Sequence, residues 1–405
     1  MTAFALAAPR LFDGEAFRET AAIRIEEGRI AAIGAGDDLR GPSFADLLSG
    51  DGTCVRLPAG AILAPGFVDL QVNGGGGVLL NDAPGVEAAR TIAAAHRAHG
   101  ATALMLTLIS DAETVLDALV AAAPEIARVP GVAGFHIEGP FLAPGRRGVH
   151  REEVLRLPTE ADFTRIARLA TIAPTLLTLA PERLAPGVVA RFVAAGVRVF
   201  VGHSEADAAA VARATAEGAV GATHLFNAMS QIAPREPGVV GAVLDDARLS
   251  AGIICDGLHV HPANLRLAHR LMGPRRLALV TDAMPSVGAR DAGFTLQGRT
   301  IRLEAGRLTA PDGTLAGAHL GMDEAVRNAV RLMGAPLADA LAMATATPAR
   351  LAGLGDGRGR IVAGGRADLV ALVPTRAADG THAGPTVHET WIAGVPASGT
   401  RAPTG

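Results

Sequence analysis

The stretch APGFVDLQVNGGGG, residues 64–77, decides how the fold is interpreted. It begins with a proline-glycine turn, continues as a short apolar strand, and ends in Gln71 and Asn73 before four glycines. An apolar strand that ends in polar side chains and glycine is typical of a sheet whose strand ends face a pocket. Amide side chains are poor ligands of divalent metals, so these two positions alone do not predict a metal site.

The middle of the chain, about residues 61–354, repeats the pattern of an apolar run followed by an amphipathic, helix-like segment. This alternation is typical of a parallel sheet covered by helices. Eight candidate strands occur in it: ILAPGFVDLQ, ATALMLTL, VAGFHIE, TLLTLA, VRVFVGH, GATHLF, LSAGIICD and LALVTDA. Eight such units in roughly 300 residues predict a (β/α)8 TIM-type barrel. The alternative is an open doubly wound sheet, but no GxGxxG motif follows the first strand to support a dinucleotide fold.

Residues 1–60 and 355–405 follow a different pattern, in which short β-like runs alternate with glycine-rich turns. Examples are AAIRIEEGRIAAIG near the start and GRIVAGGRADLVALV near the end. Period-two alternation of this kind predicts antiparallel strands. We therefore expect a small, discontinuous β-sandwich domain built from both termini, beside a barrel domain of residues 61–354.

Composition excludes several classes of function. The 405 residues are 49% hydrophobic and carry a net charge of -3, so the chain can bury a large core and offers no basic surface for nucleic acid. No apolar stretch is long enough to span a membrane, and the N-terminus lacks the pattern of a signal peptide, so we expect a cytoplasmic protein. All 37 basic residues are arginine, which excludes a Schiff-base lysine and a carbamylated lysine that bridges two metals. Cys54 and Cys255 form neither a disulfide framework nor a CxxC site.

Polar side chains follow six of the eight predicted strands, where barrel enzymes place their active sites. They are Gln71, Asn73, Glu138, His203, His224, Asp256, His259 and Asp282. Glu138, His203 and His224 supply one carboxylate and two imidazoles, the three protein ligands of a catalytic zinc centre with one open position. Each of the three also fits a buried, hydrogen-bonded residue without a metal.

Asp282 follows the apolar run LALV and is expected at the mouth of the barrel. Burial there raises the pKa of a carboxyl, whereas a nearby cation lowers it. A carboxylate in this position can act as a general base and then as a general acid. The alternative is a structural cap on the following turn.

An ordered set of motifs runs through nearly the whole chain: PGFVDLQVNG, HIEGPFL, VGHSEAD, GATHLFNAM, REPG, CDGLHVH, LVTDAM and LAG. This set resembles the N-acetylglucosamine-6-phosphate deacetylase family of the amidohydrolase superfamily. The resemblance implies a divalent metal held by Glu138, His203 and His224, with Asp282 as the catalytic acid and base. It also implies that His150 polarises the acetamide carbonyl. Zinc is the first choice of metal, and iron, manganese or cobalt would also fit such a ligand set.

The resemblance further implies a sugar site and a phosphate site. The residues expected to contact the hexosamine are Val149, His150, Asn227, Ala228, Asp256, Gly257, Leu258, His259, Leu315, Ala316 and Gly317. Arg235 and His259 are expected to bind the 6-phosphate, with Arg235 reaching over from the neighbouring subunit of a homodimer. An arginine suits phosphate because its planar fork donates two charge-assisted hydrogen bonds. A surface ion pair between Arg235 and Glu236 is the alternative.

The opening stretch bears on the number of metals. Most amidohydrolases carry an HxH pair at the end of the first strand, whereas this chain has Gln71 and Asn73, and it has no lysine to bridge a second ion. We therefore predict one metal per subunit, with Gln71 positioning a water or a substrate group by hydrogen bonding. His259 and His261 form the only HxH in the chain, but the family pattern assigns His259 to the substrate and leaves His261 unassigned.

The predicted reaction is hydrolysis of N-acetylglucosamine 6-phosphate to glucosamine 6-phosphate and acetate. N-acetylgalactosamine 6-phosphate or another N-acyl hexosamine is an alternative substrate, because no motif reads the orientation of the C4 hydroxyl. A catalytically silent binding protein is a third possibility, but such a relative would be expected to lack part of the ligand and base set. His136 is interpreted as a supporting or core residue, and His96 and His99 as surface or packing residues.

Overall fold

The computed structural model of the chain describes residues 3–35, 54–290, 293–376 and 382–397. The strands are β1 (Phe4–Phe12), β2 (Phe17–Glu26), β3 (Arg29–Ala35), β4 (Cys54–Arg56), β5 (Ile62–Pro65), β6 (Phe67–Val72), β7 (Gly74–Gly75), β8 (Val78–Leu79), β9 (Ala101–Ile109), β10 (Val132–Glu138), β11 (Thr175–Leu179), β12 (Arg198–Val201), β13 (Gly221–Ala222), β14 (Ser250–Ile254), β15 (Leu277–Val280), β16 (Phe294–Leu296), β17 (Arg299–Glu304), β18 (Arg307–Thr309), β19 (Leu315–Ala318), β20 (Leu369–Arg376), β21 (His382–Ile392) and β22 (Val395–Pro396). The α-helices are α1 (Val86–Arg97), α2 (Glu113–Ile126), α3 (Glu160–Ile172), α4 (Val188–Ala194), α5 (Ala208–Ala216), α6 (Gly238–Asp245), α7 (Pro262–Arg276), α8 (Met322–Asn328), α9 (Leu337–Ala344) and α10 (Ala346–Ala352).

The centre of the molecule is an eight-stranded parallel sheet that curls into a nearly closed barrel. Its strands follow one another in the order β6, β9, β10, β11, β12, β13, β14 and β15. All residues of β9 and of β10 are buried, as expected for strands covered on both faces. The predicted (β/α)8 barrel is confirmed, and each of the eight predicted strands is present.

The barrel closes between its first and last strands by a few contacts and not by a continuous ladder. One parallel bridge joins Val72 to Ala283, and the Asp282 amide donates to the Gln71 carbonyl at 3.0 Å. The seam therefore lies beside Gln71, Asn73 and Asp282, three residues singled out from the sequence.

A second β sheet is built from both ends of the chain, as predicted. Its strand order is β22, β21, β20, β5, β1, β2 and β3, with β4 paired to β1. The first predicted barrel strand is divided: β5 pairs with β1 and β20 in this sheet, whereas β6 belongs to the barrel. The chain passes between the two at Gly66, where a Cβ would lie 2.2 Å from the Thr102 hydroxyl. The domain boundaries at residues 60 and 354 stay a prediction.

A four-stranded antiparallel sheet, β16 to β19, follows the last barrel strand and has no counterpart in the sequence analysis. Leu296, Ile301 and Leu308 from this sheet form a small core with Ile109 and Met284. The last strand of this sheet returns to the barrel mouth, where the Ala318 amide donates to the Asp282 carbonyl at 2.9 Å. The β16–β19 sheet thereby places Leu315 and Gly317 at the same end of the barrel as the polar residues that follow the barrel strands.

None of the helices in the described residues combines the length and apolar character needed to cross a membrane. Cys54 and Cys255 are both free thiols, as expected from their spacing.

Candidate active site

Glu138, His203 and His224 converge at the mouth of the barrel from the ends of β10, β12 and β13. The Nε2 atom of His224 lies 3.1 Å from Oε1 of Glu138 and 3.1 Å from Nε2 of His203. The Nε2 atom of His203 lies 3.4 Å from the same glutamate oxygen. All three side chains are buried, so three potential ligand atoms from separate strands meet in one desolvated spot.

The backbone is strained at the residues that end these strands. The φ angles of His203, His224 and Asp282 are 49°, 30° and 51°, in the left-handed region that non-glycine residues rarely adopt. Such strain costs on the order of 1–3 kcal/mol per residue and persists only where the surrounding structure enforces it. The strain recurs at the ends of β12, β13 and β15, on the same end of the barrel as the polar cluster, as is common at functional sites.

The charges of Glu138 and His224 stabilise one another. Burial raises the pKa of Glu138, but hydrogen bonds and charge from His203 and His224 outweigh burial and hold that pKa well below its usual value. Burial lowers the pKa of His224, and the hydrogen bond and charge of Glu138 more than compensate and raise it. An ionised carboxylate in contact with two imidazoles forms an electrostatic environment that favours a bound cation.

The spacing of these ligand atoms fits a tetrahedral ion. Ligands about 2.1 Å from zinc are about 3.4 Å from one another in a tetrahedron, close to the observed separations of 3.1–3.4 Å. The Nδ1 atom of His203 lies 2.8 Å from the Arg146 carbonyl and must donate to it. That tautomer leaves the Nε2 lone pair of His203 directed at the cluster, which is the usual arrangement of a metal-ligating histidine.

His150 lies beside the cluster with a different protonation pattern. Its Nδ1 atom accepts a hydrogen bond from the Ser110 amide at 3.3 Å, which places the proton of the neutral ring on Nε2. Burial lowers the pKa of His150 to about 3. The neutral ring therefore presents an N–H group to the cluster, where its Nε2 atom lies 3.8 Å from Oε2 of Glu138.

Asp282 accepts hydrogen bonds from both amides of the opening stretch. Its Oδ1 atom lies 3.0 Å from Nε2 of Gln71 and 2.7 Å from Nδ2 of Asn73. Nε2 of Gln71 also donates to Oε1 of Glu138 at 2.9 Å. Burial, followed by the charge of Glu138, raises the pKa of Asp282 to about 6, although His224 and Asn73 oppose the shift. Gln71 thus joins two carboxylates, while its predicted role toward a water or substrate stays a prediction.

These groups open into a cavity of about 350 Å³, a size typical of small-molecule sites. Twelve of the residues predicted for the site line it: Asn73, Glu138, Val149, His150, His203, His224, Asn227, Ala228, His259, Asp282, Leu315 and Gly317. Further lining residues, not anticipated from the sequence, are Ile109, Gly145, Arg146, Gly148, Ile254, Met284 and Thr314. The glycines of the APGRRG segment were a signal for a close-approach loop, since a Cβ at Gly145 would lie 2.5 Å from the Glu205 carboxylate.

Asp256 and His259 form a half-buried pair at one side of the cavity. The Nδ1 atom of His259 lies 2.6 Å from Oδ2 of Asp256, and Oδ1 accepts the backbone amides of Leu258 and His259 at 2.8 Å each. Because a carboxylate only accepts, Nδ1 of His259 carries a proton and Nε2 is left to face the cavity. Asp256, Gly257 and Leu258 therefore shape the turn that presents His259 but do not themselves line the cavity.

Three other predicted residues also lie off the lining. Gln71 is buried behind the carboxylates that it joins, and Ala316 packs in the small core of the β16–β19 sheet. Arg235 lies in a fully exposed loop, residues 231–237, away from the cavity of its own chain. The alternative ion pair with Glu236 is not among the described contacts, where that glutamate accepts the amides of Ala208 and Gly238.

The other histidines considered in the sequence analysis have structural partners. His136 contacts the Thr178 hydroxyl at 2.8 Å beneath the cluster, and burial lowers its pKa to about 4. His261 caps α7 by accepting the Ala263 amide. His96 is buried and donates to the Gly74 carbonyl at 2.9 Å, and His99 pairs with Asp323. These contacts agree with the packing and supporting roles predicted for His96, His99 and His136.

Comparison with known proteins identifies the family. The sequence profile of the Amidohydrolase family matches residues 62–396, which is more than half of the chain. The chain belongs to the amidohydrolase family. Members of this family use a divalent metal, and Glu138, His150 and His203 offer ligand atoms that lie within 4.8 Å of one another. The resemblance recognised from the ordered motifs is confirmed.

Individual relatives show which members of the family the chain is similar to. The N-acetylgalactosamine-6-phosphate deacetylase of Shewanella sp. (strain ANA-3) is 42% identical over 297 residues, which cover 73% of this chain and 75% of that protein. The N-acetylglucosamine-6-phosphate deacetylase of Haemophilus influenzae is 38% identical over 330 residues, 79% and 84% of the two chains. The crystal structure of N-acetylglucosamine-6-phosphate deacetylase from Pasteurella multocida matches with a TM-score of 0.88 at 32% identity, over 98% and 99%. The chain is thus an enzyme, a deacetylase-type hydrolase of this family.

Metal analysis can distinguish two overlapping ligand sets: Glu138, His203 and His224, or Glu138, His150 and His203. We predict that His224→Gln loses most of the bound metal, because Nε2 of His224 is directed at both other ligands. His150→Gln should retain it, because the Nε2 proton of His150 leaves no lone pair there. Metal per subunit would be measured by plasma mass spectrometry after loading with zinc and desalting. Loss of metal in His150→Gln and not in His224→Gln would instead select Glu138, His150 and His203.

Proposed function

We propose that the chain hydrolyses the acetamide of N-acetylglucosamine 6-phosphate, releasing glucosamine 6-phosphate and acetate. The observation that carries the proposal is the meeting, in one cavity, of a proton donor, a proton acceptor and a cation-binding cluster. The donor is the Nε2–H group of His150, and the acceptor is the Asp282 carboxylate. Amide hydrolysis requires these three elements to activate water, stabilise the oxyanion and protonate the amine. The named activities of the relatives support the choice of substrate.

Glu138, His203 and His224 would hold one divalent ion in each subunit, with zinc as the first choice and iron, manganese or cobalt as alternatives. The choice of His224 over His150 rests on the 3.1 Å contacts of His224 and on the Nε2 proton of His150. A divalent ion supplies an acidified water and polarises a carbonyl when bound. A single ion is proposed because Gln71 and Asn73 donate to carboxylates at positions where imidazoles would offer lone pairs.

Asp282 would move the proton in both halves of the reaction. As a carboxylate it takes a proton from the attacking water, and as the acid it delivers that proton to the departing nitrogen. A pKa raised to about 6 by burial suits this dual use, because the group can change protonation state near neutral pH. The Gln71 and Asn73 amides hold Oδ1, which leaves Oδ2 to exchange the proton.

His150 would bind the acetamide oxygen. The Ser110 amide fixes the tautomer in which Nε2 carries the proton, so the ring donates to the substrate oxygen as negative charge develops on it. A neutral donor in a buried site stabilises an oxyanion more strongly than the same group does in water. Val149 would hold this loop in place, since its carbonyl accepts from Arg299 and its side chain packs against the β16–β19 sheet.

The sugar would be held by Asn227, Ala228, Leu315 and Gly317 around the cavity, and its phosphate by His259. We propose a homodimer in which Arg235 completes the phosphate site of the neighbouring subunit. Two features support this: Arg235 lies outside its own cavity, and its exposed loop also presents Ile232 at 57% exposure. A cytoplasmic location, expected from the sequence, belongs to the same proposal.

The substrate is tested with a panel of sugars. The zinc-loaded protein should release acetate from N-acetylglucosamine 6-phosphate at rates typical of enzymes, about 1–1000 per second. The panel adds N-acetylgalactosamine 6-phosphate, the alternative favoured by the Shewanella relative, and both unphosphorylated sugars. If the galacto epimer has the higher kcat/KM, the alternative replaces the first choice. Absence of acetate from every sugar would contradict the proposed activity.

Asp282→Asn should lower kcat by about 100-fold to 10,000-fold, the range attributed to general acid-base catalysis. The amide keeps the size of the side chain but cannot take the proton, so metal content and substrate binding should persist. Binding would be measured by titration calorimetry and kcat by acetate release. A variant with a near-normal kcat would rule out Asp282 as the proton carrier.

Arg235→Ala should raise KM for the phosphorylated sugar and leave the rate with the unphosphorylated sugar almost unchanged, because only the phosphate contact is lost. Loss of a charge-assisted hydrogen bond of about 1.5–3 kcal/mol corresponds to about a 10-fold to 150-fold change. Arg302→Ala, on a strand of the β16–β19 sheet, is the matched control. Equal losses for both sugars would count against a phosphate role for Arg235.

A further inference from the structure

We propose that Asp69 and Thr281 are positioning residues for the reaction: their side chains join the first and last barrel strands and thereby fix Asp282 against Gln71 and Asn73. This inference rests on the proposed function, since it assigns Asp282 the proton transfer. Neither residue lines the cavity, so both act through Asp282 and not on the substrate.

The first observation is the irregular seam of the barrel. The other neighbouring strands are joined by parallel ladders, whereas β6 and β15 share no ladder among the described residues. Along β6 the register with β9 also shifts between Asp69 and Val72. Backbone pairing alone therefore sets the position of β15 relative to β6 less firmly than it sets the other strand pairs.

The second observation is that one carboxylate spans this seam. The hydroxyl of Thr281 donates to Oδ2 of Asp69 at 2.5 Å, and the Thr281 amide donates to Oδ1 at 3.2 Å. Oδ1 also accepts the Gln71 amide at 3.2 Å. Asp69 and Thr281 are both fully buried. Hydrogen bonds in a desolvated site are stronger than the same bonds in water, so these contacts strengthen the seam where the ladder is missing.

The third observation links the seam to the site. Asp282 follows Thr281 directly and has a strained φ of 51°. Its amide donates to the Gln71 carbonyl, and its carboxylate accepts the side chains of Gln71 and Asn73. The Ala283 amide, on the far side of Asp282, donates to the Thr281 hydroxyl at 3.2 Å. The strained residue is therefore held from both sides by bonds that depend on Thr281 and Asp69.

Positions 69 and 281 require side chains whose hydrogen-bond donors and acceptors match their neighbours. Oδ1 of Asp69 accepts two backbone amides, so an amide nitrogen in that position would face two N–H donors. An amide nitrogen in the Oδ2 position would remove the acceptor of the Thr281 hydroxyl. The Thr281 hydroxyl donates to Asp69 while it accepts from Ala283, which a valine of the same shape cannot do. Loss of the hydroxyl should let the Asp282 carboxylate shift, and a misplacement of about 1 Å can reduce a rate by about 100-fold.

The test compares Thr281→Val with Thr175→Val in the zinc-loaded, full-length protein. Thr175 is a buried threonine at the start of β11, at the end of the barrel away from the cavity. Its hydroxyl donates to the Ala173 carbonyl. Thr281→Val should lower kcat by about 10-fold to 100-fold, with KM, metal content and circular dichroism close to those of the parent. Thr175→Val should keep the parent kcat. Thr281→Ser retains the hydroxyl and should recover most of the lost rate.

A double-mutant cycle separates positioning from a general loss of structure. In the Asp282→Asn background, Thr281→Val should produce almost no further loss, because the residue that it positions no longer transfers a proton. Equal losses in the two backgrounds would overturn the proposal, as would a parent-like kcat of Thr281→Val. Asp69→Asn is the second variant, with the same kcat pattern expected. If the parent itself released no acetate, the proposed function would fail, and the cycle would not be reached.

Discussion

The structure depends on how three carboxylates, two buried and one half-buried, are compensated at one end of the barrel. Asp69 and Glu138 are buried and Asp282 is half-buried, and among the described contacts none of them has an ion pair with arginine. Burying a charge without compensation costs several kcal/mol in real proteins. Each carboxylate is therefore surrounded by donors of another kind, and these donors determine what the mouth of the barrel can bind.

The three carboxylates are compensated in different ways, and the differences agree with the roles proposed for them. Burial raises the pKa of Asp69 to about 7, although the Thr281 hydroxyl and two amides oppose the shift. Imidazoles hold the pKa of Glu138 well below its usual value, which keeps it ionised and suited to a cation. Asp282 accepts hydrogen bonds from two amides, while the charge of Glu138 raises its pKa and that of His224 lowers it, and its pKa of about 6 lies between these extremes. The three environments agree with the roles proposed for these residues at the seam, as a ligand and as the proton carrier.

The sequence predicted the barrel and most of the cavity because both have strong local signals. Buried parallel strands are continuous apolar runs, and the polar residue that ends each run is visible without knowledge of its neighbours. Asp69 was not recognised, although a charged residue inside the apolar run FVDL was a usable signal. Its partner Thr281 lies 212 residues away in the chain, and only the closed barrel brings the two together. The β16–β19 sheet was missed because its short, half-exposed strands lack a strong period.

The amides of Gln71 and Asn73 have a larger role in the site than their residue types indicated in the sequence analysis. A histidine at such a position offers a lone pair to a cation, whereas an amide nitrogen offers two protons to anions. Gln71 uses both protons, one for Glu138 and one for Asp282. Gln71 therefore connects the carboxylates of Glu138 and Asp282 through a neutral amide. A second metal ion in this position would connect them through a positive charge. Because a neutral bridge lowers the pKa of Asp282 less than a cation would, the carboxyl keeps a pKa near 6. An amide in place of an imidazole therefore affects the acidity of the group proposed to carry the proton, and it is also the basis of the proposed single metal ion.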